Sequence, residues 1–228
     1  MFKIESDYPL YYLDDFEFPN PYEEYLDGLV GASPDLHPQR LLNGYSKGFF
    51  PWYQAEDGLF YWYQIPQRMI LYTDQVRKTK NLLKKLRSKN WEFKINTNFQ
   101  EVIKNCSTIK RPSHMGDSWI TQDFIDAYTQ LHKLGFAMSV ESYYQGELVG
   151  GFYGVGIGKY FSGESMFAKK SDASKLALIY FCDVCIDNEI EWIDCQSGSE
   201  HLMRMGATKI PKTEFLEKLQ KATKKGIL

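Results

Sequence analysis

No apolar run in these 228 residues approaches the roughly 18–20 residues that a membrane-spanning helix needs. The opening "MFKIESDYPLYYLDD" also lacks the basic, apolar and small-residue layout of a signal peptide. A cytoplasmic protein with no membrane partner is expected. Cysteine is scarce, with Cys106, Cys182, Cys185 and Cys195 the four in the chain. Cys182 and Cys185 form a C-x-x-C inside an apolar, helix-like run, and no second Cys or His pair stands at zinc spacing. Reduced thiols and no metal are expected. Neither sign of charge dominates: the net charge of −2 gives no general attraction to nucleic acid. No repeat, low-complexity segment, Ser-His-Asp or Cys-His arrangement stands out, and His37, His114, His132 and His201 read as loop or helix-surface residues. "GGFYGVGIG" is rich in glycine, but it lies in a strand and turn, which excludes a dinucleotide or phosphate loop.

What is present is an ordinary globular composition, 43% hydrophobic and 16% aromatic, enough for one large domain or two unequal ones. Charge is segregated. Residues 1–35 hold nine acidic side chains against Lys3 alone, whereas 77–89, "RKTKNLLKKLRSK", hold seven basic residues and no acid. Such a run is either a solvated helix face or a local phosphate-binding patch. The first thirty residues read as irregular. A helix is expected near 38–47, then loop at "FPW", strands at "LFYWY" and "MILYT", and an amphipathic helix over 76–89. "NFQEVIKNCS" opens with a helix-start signature at Asn98 and Glu101. "IKRPSHMGDS" reads as a polar loop. "AMSVESYY", "ELVGGFYGV" and "KYFSGESMF" form an antiparallel meander. A long apolar helix capped by Ser171 or Asp172 follows, then a strand "IEWIDCQ", a short helix and a closing amphipathic helix. The fold class is α+β, with a small N-terminal part over residues 1–70 and a mixed sheet with helices over 71–228.

Polar chemistry collects at strand ends. Glu164 stands between Gly163 and Ser165 in an apolar, aromatic stretch, where a carboxylate is costly unless paired or used. Asp194 and Gln196 are two apart, so an extended strand would place them on one face together with Trp192.

"GFFPWY", "DSWIT", "AYTQLHKLGFAMSVE", "ELVGGFYGV", "FSGESMF", "ASKLAL" and "IDCQ" occur in an order and spacing that closely resemble the leucyl/phenylalanyl-tRNA–protein transferase family. The resemblance spans about Gly28 to Pro211. It departs at "YWYQIPQR", where the family reads near W-W-S-P-x-P-R, although Trp62, Pro66 and Arg68 remain. It implies a GNAT-like acyltransferase C-terminal domain with a small N-terminal α/β domain packed against it. It also implies transfer of Leu, Phe or sometimes Met from aminoacyl-tRNA to a protein's N-terminal Arg or Lys, marking that protein for degradation. The ester is already activated, so no cofactor is implied, and a monomer is expected.

The resemblance further implies site residues. Asp194, Gln196 and Glu164 would stand beside the reacting amine and ester, with Gln196 orienting, Asp194 polarising Gln196 or taking the proton, and Glu164 holding an amino group. Phe152, Phe161, Leu178, Phe181 and Ile193 would wall the donor side-chain pocket, made deeper by Cys185 in place of a larger ring. Trp52 and Trp119 would stack the terminal adenosine. Arg77, Lys78, Lys80, Lys84 and Lys85 would contact tRNA phosphates. Three rivals share parts of this picture: an acetyl-CoA-dependent N-acetyltransferase, a non-catalytic aminoacyl-tRNA-binding module, and aminoacyl transfer to a cell-wall precursor. The first is disfavoured because "FAKKSDASKLA" carries no glycine for a pyrophosphate loop.

Overall fold

The computed structural model describes residues 2–4, 10–109 and 118–224. The chain runs β1 (Phe2–Ile4), β2 (Leu10–Tyr12), β3 (Leu29–Ser33), α1 (Pro38–Ser46), β4 (Phe50–Gln54), β5 (Phe60–Tyr63) and β6 (Gln67–Tyr72). It continues with α2 (Lys80–Leu86), β7 (Trp91–Ile95), α3 (Phe99–Thr108), α4 (Gln122–Lys133), β8 (Ala137–Tyr144), β9 (Glu147–Ile157) and β10 (Tyr160–Ala168). It closes with α5 (Ala173–Asp187), β11 (Trp192–Asp194), α6 (Glu200–Arg204), β12 (Thr208–Pro211) and α7 (Lys212–Thr223).

These strands form two sheets, a five-stranded one ordered β1-β2-β3-β5-β4 and a seven-stranded one ordered β12-β6-β11-β10-β9-β8-β7. The class is α+β. Pairing is antiparallel except for β2 with β3 and β10 with β11. The chain changes sheets between Tyr63 and Gln67, so β6 lies wholly in the second. The sheets share one core: Tyr45 and Trp62 from the first part belong to the same buried cluster as Phe124, Tyr128, Tyr153 and Phe215. On the other face of the large sheet, α5 packs with Val140, Phe152 and Phe161. That close seat depends on Gly150, where an added Cβ would lie 2.5 Å from the Cβ of Ala173.

The meander appears as expected, with turns at Gln145–Gly146 and Gly158–Lys159. Elsewhere local signals were overridden. The first thirty residues, expected to be irregular, supply β1, β2 and the start of β3, and "FPW" lies in β4 rather than a loop, because each segment finds a pairing partner. The helix expected over 76–89 is confined to α2. Asp172 holds the N-cap position of α5 in a left-handed conformation, φ 69°, and its carboxylate does not cap the helix. It pairs instead with Lys85 and Lys175. Most of the expected loop at 109–118 lies outside the described residues.

Asn98 begins α3 without a side-chain cap. Fully buried Glu141, reaching across from β8, organises the entry instead. It accepts hydrogen bonds from the Thr97 and Asn98 N–H groups at 3.4 and 3.3 Å, Thr97 Oγ1 at 2.9 Å and Ser139 Oγ at 2.6 Å. Glu141→Ala leaves those donors unmet and is expected to cost about 2–4 kcal/mol in urea unfolding. An unchanged unfolding midpoint rejects this role.

Candidate active site

Glu164 owes its position to a β-bulge. Along the β9–β10 ladder Gly163 faces Gly154 and Ser165 faces Tyr153, so Glu164 is the extra residue between them. A bulge interrupts the alternation of side chains and re-aims the inserted one. Ser162 donates to Glu164 Oε1 at 2.9 Å, Gln196 Nε2 to the same oxygen at 2.9 Å, and Tyr128 to Oε2 at 3.3 Å. The Tyr128 hydroxyl also bonds that of Tyr45, and both phenols are held well above their usual range by burial and by the Glu164 charge. Burial pushes the Glu164 carboxyl up to about 7, although the bonds from Ser162, Tyr45 and Gln196 pull it down. The side chain is only half-buried, but the opening beside it is the cavity described below rather than the outer surface.

Asp194 is different. Fully buried, it receives a two-pronged contact from Arg68, Nε to Oδ1 at 2.8 Å and Nη2 to Oδ2 at 2.7 Å. Tyr160 donates to Oδ2 at 2.6 Å and the Gln196 N–H to Oδ1 at 2.8 Å. The Asp194 charge keeps Arg68 above its ordinary range despite the opposing effect of burial. The guanidinium lies over the rings of Phe50 and Phe215, 4.6 and 4.5 Å from their centroids. Expected to polarise Gln196 or take up the proton, Asp194 faces this network, does not line the cavity and holds the Gln196 N–H.

Gln196 leaves the strand in a left-handed conformation, φ 55°. The expected shared face of Asp194 and Gln196 therefore does not exist: β11 ends at Asp194, whose carboxylate holds the turn N–H two residues on. Met69 of β6 pins that turn, its N–H donating to the Gln196 carbonyl and its carbonyl accepting from the Cys195 N–H, both at 2.8 Å. The Gln196 amide is thus fixed against Glu164 by backbone geometry.

These groups open onto a cavity of about 600 Å³. Phe152, Leu178 and Ile193 line it, as expected of a donor pocket, and so do Trp52 and Trp119. Trp52 is itself the bulged residue of β4. Phe161 and Phe181 do not form the wall; they stand behind Phe152 with ring centroids 6.3 and 5.4 Å from it, because β10 and α5 turn those positions into the core. Cys185 is fully buried and also off the wall, so it does not deepen the cavity. Of the five expected phosphate contacts, Lys78 pairs with Asp183 at 2.5 Å and Lys85 with Asp172 at 2.7 Å. Arg77, Lys80 and Lys84 are exposed and form no ion pair among the described residues.

Sequence reasoning missed the partners: Arg68, Tyr160, Ser162, Tyr45 and Tyr128. The one available signal was chemical, since an arginine in "QRMILY" beside apolar strand residues demands a buried acid.

A family model described as leucyl/phenylalanyl-tRNA protein transferase matches residues 70–220, and that for the family's N-terminal domain matches 34–64. A leucyl/phenylalanyl-tRNA–protein transferase of Dechloromonas aromatica is 42% identical over 203 residues, 89% of this chain and 86% of its own. The Cupriavidus necator protein of that name is 44% identical over 200 residues, 86% of this chain and 79% of its own. A solved conserved protein of unknown function from Bacteroides thetaiotaomicron aligns over 87% of this chain and 67% of its own. At 12% identity and a TM-score of 0.41, that likeness carries no argument about fold.

Proposed function

Because the chain belongs to the leucyl/phenylalanyl-tRNA–protein transferase family, whose members are aminoacyltransferases, we propose that it moves Leu, Phe or Met from charged tRNA to the N-terminal Arg or Lys of a protein. The product would carry a new N-terminal signal for degradation. The observation that carries this reading is the Glu164–Gln196 pair set at an apolar cavity beside two indoles. The apolar wall of Phe152, Leu178 and Ile193 suits a donor side chain, and Trp52 and Trp119 suit the terminal adenosine.

An α-amine has an unperturbed pKa of about 7.7–8.0 and must shed a proton before it attacks. The Glu164 carboxyl, near 7, is matched to that task. The amine nitrogen bonds to the ester carbonyl carbon, the carbon–oxygen bond to the ribose breaks, and the amine proton passes through Glu164 to the departing ribose oxygen. Gln196 orients the reacting groups: its Nε2 is engaged, while its Oε1 accepts no bond among the described residues and is available to a substrate N–H. Asp194 and Arg68 hold that turn. The reading of the larger part as GNAT-like draws support from the parallel β10–β11 pair, which meets only at Ser162 and Asp194 beside the cavity. We place the unit boundary at the β5–β6 link, and read the protein as a cytoplasmic monomer. Among the described residues no helix is long and apolar enough to cross a membrane.

The test uses radiolabelled Leu-tRNA with a peptide beginning with Arg and a control beginning with Asp. Label moving to the Arg peptide alone is expected. Label moving to neither, with the tRNA still bound, replaces the enzyme reading by a binding module.

A further inference from the structure

The start of α5 presents donors that meet no acceptor among the described residues. The first N–H groups of a helix have no partner within it and carry a partial positive charge. Ala173 N–H is met by the Lys170 carbonyl and Leu176 N–H by that of Asp172. Between them, the N–H groups of Ser174 and Lys175 meet no acceptor among the described residues, since the Asp172 carboxylate is turned away to Lys85 and Lys175.

Two side chains add to this. Ser174 is only 7% exposed, lines the 600 Å³ cavity, and its hydroxyl has no partner among the described residues. His201 lines the same cavity, and its buried Nε2 is likewise unpartnered among the described residues. His201 also forms the wall of a second cavity of about 230 Å³, whose polar lining is Arg77, Thr79, Asn81, Lys175 and Arg204 together with one acid, Asp172. So an unfilled set of donors sits where an apolar, indole-lined cavity meets a cationic one.

We propose that this junction binds the phosphodiester adjoining the donor's terminal adenosine. Ser174 Oγ–H, the N–H groups of Ser174 and Lys175, and His201 Nε2–H are the donors; Arg77, which forms no ion pair among the described residues, supplies charge, and Lys175 and Arg204 do so from their pairs with Asp172 and Glu200. The proposal rests on the aminoacyl-RNA reading above and extends it from the adenosine to the next link of the chain. A phosphodiester fits better than an isolated anion because the cation-lined cavity beyond His201 gives a backbone somewhere to continue. These contacts are blind to base identity.

The test measures binding of amide-linked, non-transferable donors by calorimetry: leucylamido-adenosine, its cytidylyl-(3′→5′) dinucleotide, and the same dinucleotide with an uncharged methylphosphonate link. For the native protein the phosphodiester dinucleotide is expected to bind about 10- to 100-fold more tightly than the methylphosphonate one, the range for charge-assisted hydrogen bonds. Ser174→Asp places a carboxylate at the junction, in a helix turn that tolerates acids. It is expected to bring that ratio to about one, and reading a ratio within one variant cancels any general effect on the fold. Inorganic phosphate is expected to compete with the phosphodiester dinucleotide but not with the nucleoside; competition with neither overturns the site. Equal binding of the two dinucleotides to the native protein also overturns it, while nucleoside binding leaves the donor reading standing. If none of the three analogues binds, the donor reading falls and this inference with it.

Discussion

Asp194→Ala is expected to abolish turnover and to cost the fold about 3–5 kcal/mol, because it leaves the Arg68 guanidinium buried without its counter-charge. Arg68 is 1% exposed and held between two aromatic rings, so neither water nor another carboxylate replaces the lost partner. The loss appears as a lowered urea midpoint. A companion variant, Arg68→Met with Asp194→Leu, removes both charges and is expected to recover much of the stability, as apolar replacements of buried pairs do. It does not recover turnover, since the Gln196 N–H still lacks the acceptor that sets its turn. A stable Asp194→Ala protein overturns the structural half of this expectation; full turnover in either variant overturns the other.

Glu164→Gln moves activity and stability in opposite directions. Turnover falls by about 10²–10⁴, the usual contribution of a positioned acid or base. The native rate is expected to rise with pH as Glu164, its carboxyl pushed up to about 7 by burial, ionises, and the variant is expected to lack that inflection. The sign for stability follows from linkage. With its carboxyl raised from 4.5 to about 7, the folded state holds a proton that the unfolded chain has released, so the Glu164 contribution to stability falls as pH rises across that interval. The shift corresponds to roughly 3 kcal/mol, reduced to about 2 by solvent reaching the half-buried side chain. Glu164→Gln is spared this loss and is expected to be the more stable protein above pH 7, which thermal unfolding of both proteins at pH 5 and pH 8 would test. Equal pH dependence of the two proteins rejects the raised carboxyl.

The parts legible in the sequence were those set by local pattern. The alternation and turns of "AMSVESYYQGELVGGFYGV" fixed β8 and β9, and the long apolar run after Ser171 fixed α5. Glu164, Gln196 and Trp52 were expected at a site and all three line the cavity, but their geometry was not legible. Two of them sit on bulges, and a bulge is decided by the partner strand: Glu164 is extruded because Gly154 and Tyr153 claim its neighbours. The Arg68–Asp194 pair joins positions 126 residues apart. Asp172 shows the converse, a residue with strong capping chemistry diverted by two lysines, one of them on α2. The basic run 77–89 was plain to see, yet it did not tell which cations the fold would consume. β4 was mistaken for loop because Pro51 is tolerated there beside a bulge.

The clasp made by α7 bears on how the protein is born. Phe215 covers one face of the Arg68 charge, Leu216 fits against Gly48, and Lys212 Nζ donates to the Glu23 carbonyl at 2.7 Å. Every one of these contacts ties residues between positions 23 and 68 to α7, which follows the other described elements in the chain. While a ribosome still shields residues 212–223 in its exit tunnel, the early sheet lacks its cover and the charge at the heart of the site lies open. Folding of this part is therefore expected to wait until residues 212–223 emerge, and a chain truncated before α7 is expected to be destabilised rather than merely slower.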